Sequence, residues 1–317
     1  MQKMQKKCKT VISLVIPVFC NEGSLKRTYE EVKEQCLSAD CDFEFIFMND
    51  GSTDASQEVL NQLHLQDDRV RVVEFTRNFG QMAGLLAGME RASGDCTIVM
   101  SADLQEPATL IPQMVNSWRN GAEIVIANRV GREDPVVAKL QSAVAYWMLR
   151  HSLPEIPKGG FDFVLIGKRA LDTFNSIDNR NRFFQGDLLW MGYPIAILPY
   201  KRQKRIHGKS SYTFWKKFKN FLDALLVSSY LPIRFISFMG ALFSFIGVIY
   251  GISVIVDWYL GNAPFDGWAP LMILNLLIGG FVTLMLGLLG EYIWRIHDEL
   301  RKRPNYVVKN DTHQRIR

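Results

Sequence analysis

Between residues 10 and 200, short runs of β-branched and aromatic residues alternate with longer stretches in which apolar positions return every three to four residues. Residues 11–18, 43–48, 70–75 and 96–100 are nearly continuous apolar runs, the pattern of strands covered on both faces. Residues 22–37, 54–65 and 81–92 have the helical period instead. Strand and helix in alternation predict an α/β domain with a mostly parallel sheet and helices on both faces. Ligands of such sheets gather beyond the carboxyl ends of the strands, so the residues at those ends are the ones to inspect.

Beyond residue 200 the pattern changes. Residues 235–256 and 268–290 contain no charge, and each run is long enough to cross about 30 Å of hydrocarbon as a helix. The connection, residues 257–267, carries Asp257 and Asp266 and no lysine or arginine, whereas Lys216, Lys217, Lys219 and Arg234 precede the first run and Arg295, Arg301, Lys302 and Arg303 follow the second. Basic residues resist translocation, so this bias places both chain ends and the large domain in the cytosol, in a multi-pass protein of the inner membrane. The apolar stretch after the basic N-terminus is too short for a signal peptide, and export of the domain is not expected. Just before the first run, Phe214, Trp215, Phe218, Phe221, Leu222, Leu225 and Leu226 fall on one helical face and lysines on the other, which predicts a helix lying on the membrane surface. The expected organisation is therefore an α/β domain over 1–200, a basic segment with an amphipathic juxtamembrane helix over 201–234, two transmembrane helices over 235–290 and a basic tail over 291–317.

Composition adds exclusions. Hydrophobic residues are 48% and charged residues 22% of 317, with a net charge of +5, which argues against disorder, collagen or a coiled coil. The five cysteines, Cys8, Cys20, Cys36, Cys41 and Cys96, include no CxxC pair for zinc or redox work and suit a reducing compartment. Residues 201–219 hold eight lysines or arginines and no acid, a stripe that suits anionic lipid; no nucleic-acid motif accompanies it, and RNA or DNA is not an expected partner.

The first strand runs out in Pro17-Val18-Phe19-Cys20-Asn21-Glu22 and the second in Asn49-Asp50-Gly51-Ser52-Thr53-Asp54. Ser52, Thr53 or Asp54 can be explained as helix caps; Asp50 precedes the cap, and a carboxylate at that place can accept hydrogen bonds from a ribose or a base. The third strand is followed by Thr76-Arg77-Asn78-Phe79-Gly80-Gln81 and the fourth by Ser101-Ala102-Asp103-Leu104-Gln105-Glu106-Pro107. Asp103, where a buried strand emerges, is either exposed by accident or a ligand for a hard cation.

Taken in order, V-I-P-V-F-C-N-E, N-D-G-S-T-D, N-F-G-Q and S-A-D-L-Q-E-P resemble the family 2 glycosyltransferases with a GT-A fold, in the branch of dolichol-phosphate-mannose synthases and bacterial polyisoprenyl-phosphate glycosyltransferases. The resemblance continues through Arg129, the stretch from Gly160 to Arg169, Arg182-Phe183 and the segment from Arg205 to Tyr212, and ends in two membrane helices, as in many bacterial members. It implies a Rossmann-like GT-A domain and inverting transfer of a sugar from a nucleotide diphosphate, by analogy a UDP-hexose, to a polyisoprenyl phosphate such as undecaprenyl phosphate. By position, Asp50 resembles the family acid that contacts the nucleoside, with Pro17, Asn21 and Glu22 as the adjoining wall. Asp103 resembles the last acid of a D-A-D motif that holds Mg²⁺ or Mn²⁺, with Ser101 in place of the first acid and Gln105 following. Arg129 resembles a cation near the donor phosphates, and Asp162 the acid of G-D-F-R-L. Arg202, Arg205, Lys209, Ser210 and Tyr212 correspond to the basic segment expected to meet the lipid phosphate.

Ser101 removes one metal carboxylate, and Val164 and Gln185 stand where the family carries arginine. Mg²⁺ commonly takes one or two protein carboxylates and completes its shell with substrate phosphate, so the metal is still expected. A phosphate monoester is largely ionised at neutral pH, its second pKa being about 6, so this acceptor needs no general base. Two alternatives remain open: a transferase acting on a glycolipid hydroxyl, which would need a base, and a degenerate transferase serving as a membrane scaffold, suggested by Ser101. Gly279, Gly280, Gly287 and Gly290 allow close helix approach and hence homo-oligomers. A lipid-linked product destined for the cell envelope would need a partner flippase.

Overall fold

The computed structural model describes residues 10–129, 157, 161–179, 182–201, 231–260 and 269–313. In chain order the elements are β1 (Val11–Val18), α1 (Leu25–Ser38), β2 (Asp42–Asn49), α2 (Ser56–Gln66), β3 (Val70–Phe75), α3 (Gln81–Arg91), β4 (Cys96–Val99), α4 (Ile111–Arg119), β5 (Ile124–Arg129), β6 (Val164–Gly167), α5 (Lys168–Ser176), α6 (Phe184–Trp190), β7 (Ile195–Tyr200), α7 (Leu231–Tyr259), α8 (Ala269–Leu300) and β8 (Val308–Asp311). The predicted α/β class and mostly parallel sheet are found. Eight strands lie in the order β7-β5-β6-β4-β1-β2-β3-β8. β1 is parallel to β2 and β4, β2 to β3, and β5 to β7; β6 runs antiparallel between β4 and β5, and β8 antiparallel on β3.

Strand alternation supplies the core on both faces. Ile12, Leu14, Ile16, Phe43, Phe45 and Phe47 face the layer that includes α1, α2 and α4, where Phe43 meets Phe45 edge to face and Phe45 stacks on Phe47, with centroids 5.6 and 5.7 Å apart. Val15, Ile46, Met48 and Val73 face α3, α5 and α6. Each large side chain removed from water here contributes about 1.5–3 kcal/mol, which is why the strands read as unbroken apolar runs. Pro17 lacks a donor but lies beyond the last β1–β4 pair, Val15 with Val99, where no ladder bond from that side is needed. The first helix starts at Leu25 and not at residue 22, because residues 19–24 form a loop laced to the β2–α2 connection.

The chain divides into two compact units, residues 1–221 with 304–317, and residues 222–303. The second contains α7 and α8, two helices of 29 and 32 residues, each long and apolar enough to cross a membrane. They touch through Phe243 and Phe281, whose rings are 5.2 Å apart. The charge-free run that ends at residue 290 is only part of α8, which continues through Glu291 and Arg295, paired at 2.9 Å, to Leu300.

The stretch read from sequence as a basic tail belongs in part to the sheet. Val308–Asp311 completes it along β3, and Asp311, 3% exposed, accepts a two-pronged contact from Arg71 at 2.9 and 2.8 Å and a third from Arg91 at 3.1 Å. Burial works to raise this carboxyl's pKa, but the two guanidinium groups outweigh it and hold the acid below its ordinary range. The contribution to stability is therefore full above the unfolded value of about 3.9 and is lost as pH falls through the lower folded value. Asp311→Asn is expected to destabilise the protein by about 3 kcal/mol at neutral pH. The gap from the parent protein should narrow in acid below about pH 4, measured by thermal unfolding across a pH series.

A second prediction follows from the seat of α3. A Cβ at Gly88 would lie 2.3 Å from Val15 Cγ1, so the helix packs on β1 only because position 88 has no side chain. Gly88→Ala should gain about 1 kcal/mol of helix propensity and lose about 1–3 kcal/mol to overpacking, for a net fall in melting temperature.

Candidate active site

Six strands point the same way, so the ends of β1, β2, β3, β4, β5 and β7 lie along one edge of the sheet. Because β6 is antiparallel, its beginning lies at that edge as well. Two clusters form there.

The first joins the ends of β1 and β2. The Cys20 amide donates to Ser52 Oγ at 3.0 Å, the Asn21 amide to Ser56 Oγ at 3.0 Å, and the Ala55 amide to Glu22 Oε2 at 2.8 Å. Asn21 Oδ1 accepts from the Phe19 amide at 3.1 Å. Glu22 and Asn21, expected to wall a nucleoside pocket, thus also hold the two loops together, while Pro17 lies 3.4 Å from the Cβ position of Gly84 in α3. Asp50 is 3% exposed, and its two oxygens accept the Phe79 amide at 2.6 Å and the Gly80 amide at 2.8 Å. Burial pushes its pKa up against the lowering effect of these amides. Gly51, at φ +63°, brings the backbone so close to the next loop that a Cβ would lie 2.5 Å from the Arg77 carbonyl carbon. Gly80, at φ +99°, turns the chain into α3.

The second cluster joins β4, β5 and β6. Ser24 Oγ and Thr28 Oγ1 both donate to the Ala102 carbonyl, at 2.7 and 3.0 Å, fixing the turn that presents Asp103. Asp103 is 6% exposed, and its Oδ1 accepts from Ser101 Oγ at 2.8 Å and from the Gln105 amide at 3.2 Å. Ser101 Oγ also contacts Glu106 Oε2, which accepts the Ser101 amide at 2.8 Å. The Ser101 hydroxyl thus lies between two acids, within hydrogen-bond reach of Asp103 Oδ1 and Glu106 Oε2, and its single proton can serve one of them at a time. Burial pushes the Glu106 pKa up against the lowering effect of the Ser101 hydroxyl and amide. In the sequence Glu106 is marked only as an acid immediately before a proline in the strand-end string.

Arg129 and Asp162 are 33 residues apart in the chain and form an ion pair at 2.5 Å. The register explains the meeting: Val164 faces both Val99 and Ile126, so two or three residues further on Asp162 comes beside Ser101 and Arg129. Arg129 is paired in register with Tyr200. Burial opposes its charge, and Asp162 and Tyr200 more than compensate, so its pKa is raised. Its buried Nε has no partner among the described residues. Gln185 donates to the Phe161 carbonyl at 2.7 Å and steadies the approach to Asp162. Arg182 and Asp187 form a separate pair at 2.9 Å, and burial raises Asp187. Arg202, Arg205, Lys209, Ser210 and Tyr212, with the amphipathic segment, lie outside the described residues.

A divalent cation fits the second cluster by donor chemistry, since Ser101 and Asp103 offer hard oxygen atoms at one strand end. Among the described residues no three His, Cys, Asp or Glu side chains surround one point, so such an ion would draw further ligands from a substrate, as Mg²⁺ commonly does.

An open, mostly parallel sheet with acids and a cation at its strand ends has the GT-A architecture. A mannosyltransferase from Pyrobaculum calidifontis, solved with GDP-Man and Mn²⁺, shares this fold at a TM-score of 0.50 and 15% identity, over 71% of this chain and 64% of that one. The family model for glycosyl transferase family 2 matches residues 13–171. A bactoprenol glucosyl transferase of Shigella phage SfV is 34% identical over 95% of this chain and 98% of its own. An uncharacterized glycosyltransferase of Bacillus subtilis, YkcC, is 34% identical over 94% and 93%. The chain belongs to glycosyl transferase family 2, and it is a transferase enzyme.

Asp50→Asn keeps the side chain's shape but turns an N–H toward one of the two amides it now accepts. The unmade bond should destabilise the protein by about 1–3 kcal/mol, read as a lower unfolding midpoint.

Proposed function

We propose that this protein transfers a hexosyl group from a UDP-sugar to a polyisoprenyl phosphate such as undecaprenyl phosphate, at the cytosolic face of the inner membrane. The observation that carries the reading is the pairing of an oxygen-lined strand end, Ser101–Asp103, with Arg129 at one edge of a GT-A sheet, in a chain that aligns almost end to end with bactoprenol glucosyl transferases.

The first cluster suits the nucleoside: Asp50 lies at the end of β2 between two loops braced against each other. The second suits the diphosphate. Mg²⁺ or Mn²⁺, held by Asp103 and, through its hydroxyl, by Ser101, would neutralise charge on the leaving diphosphate. Arg129 adds a second positive charge there, and Asp162 fixes where its guanidinium points. In the transfer, the bond from the sugar's anomeric carbon to the diphosphate oxygen breaks, and the electron pair leaves with the nucleoside diphosphate. A bond from the same carbon to an oxygen of the lipid phosphate forms on the opposite face, which inverts the configuration. The acceptor is already an anion, so no side chain has to remove a proton. That agrees with Asp162 being engaged by Arg129 instead of standing ready as a base. The basic residues Arg202, Arg205 and Lys209, with Ser210 and Tyr212, are assigned to the lipid phosphate, and α7 and α8 to anchoring in the bilayer. A flippase would carry the product outward, and glycines of α8 would serve homo-oligomer contacts.

Membranes containing the protein, incubated with undecaprenyl phosphate and labelled nucleotide sugars, should move label into the organic phase, and chelator should stop it. Asp103→Ala should lower the rate by a factor on the order of 10² or more without changing membrane insertion. Transfer from none of the donors would favour the scaffold alternative, and transfer only to a glycolipid hydroxyl would favour the other.

A further inference from the structure

The chain that follows α8 reaches the β3–α3 loop, the loop whose amides occupy Asp50. Val307 accepts the Thr76 amide at 3.1 Å, just past the end of β3, extending the β8 pairing into the loop. One residue earlier, the Tyr306 ring stacks on Phe75 with centroids 5.1 Å apart and planes inclined by 15°. Phe75 in turn meets Phe79 edge to face at 5.9 Å. Phe79 is the residue whose amide donates to Asp50 Oδ1. The Tyr306 hydroxyl is held at the far end, accepting from Arg91 Nη1 at 3.2 Å and donating to Glu90. On its other side the same loop is limited by Gly51, against Arg77 and Asn78. Residues 76–80 are thus gripped between the end of β2 and the returning chain.

We propose that Tyr306 and Val307 are positioning residues for donor binding: the segment returning from α8 sets the loop that places Asp50, and so tunes affinity for the nucleoside part of the donor. The proposal rests on the reading of Asp50 as part of the donor site. Neither residue needs to touch the donor; Tyr306 acts through Phe75 and Phe79, and Val307 through Thr76.

The test uses the full chain in detergent, with Tyr306→Ala and Tyr306→Phe. Amide exchange without nucleotide should be faster at Phe79 and Gly80 in the alanine variant by about three- to tenfold, the span of one aromatic pair. UDP should bind more weakly, and the donor KM should rise, by a similar about three- to tenfold factor, with kcat and the acceptor KM nearly unchanged. The phenylalanine variant keeps the stack and should restore most of both. Unchanged exchange at residues 79 and 80 in folded Tyr306→Ala overturns the proposal. So does a loss of kcat in step with melting temperature that phenylalanine fails to rescue, which marks general destabilisation. If the parent protein binds no UDP, the donor reading fails, and the exchange measurement still decides whether Tyr306 holds the loop.

Discussion

The reversed strand β6 is the constraint on which the cluster of Ser101, Asp103, Arg129 and Asp162 depends. Were it parallel to its neighbours, Asp162 would start from the opposite edge of the sheet, far from Ser101, Asp103 and Arg129. Running antiparallel between β4 and β5, it sets Val164 against both Val99 and Ile126, and the register then delivers Asp162 beside Arg129. An arginine this buried needs a counter-charge, and the fold supplies one from a residue distant in sequence. The same pairing holds a largely buried guanidinium at the strand ends, beside the turn that presents Asp103.

A parallel arrangement organises the other half. Asp50 spends both oxygens on the amides that open α3, so its conformation is set by the neighbouring loop as much as by its own strand. Glu22 and Ser52 tie the first two strand ends in the same manner. The polar atoms of this cluster are satisfied by the protein itself, and pre-organisation of this kind reduces what any ligand must order on binding. Ser101 stands between Asp103 and Glu106 with its hydroxyl in reach of both, so the two acids flank one polar group in a buried corner.

Much of this was legible in the amino-acid order. The runs at 11–18, 43–48, 70–75 and 96–100 became β1 to β4 with ends shifted by a residue at most, because strands covered on both faces must be apolar throughout. Asp50, Asp103, Arg129 and Asp162 could be singled out by their places at strand ends or by family strings. Two features were hidden. Glu106 is a lone acid in a loop, and only burial with a bond to Ser101 distinguishes it. β8 has a four-residue core, Val-Lys-Asn-Asp, whose polar side chains conceal a strand that draws its stability from an ion-pair clamp with Arg71 and Arg91. Edge strands are commonly charged in this way, and periodicity then carries little signal.

The position of β8 in the chain has a consequence for biogenesis. Until it arrives, β3 is an uncovered edge with unpaired amides and carbonyls, an invitation to pairing with other chains. The ribosome makes that covering strand only after both long apolar helices. The border of the domain can therefore be closed by this strand only after both helices have been made.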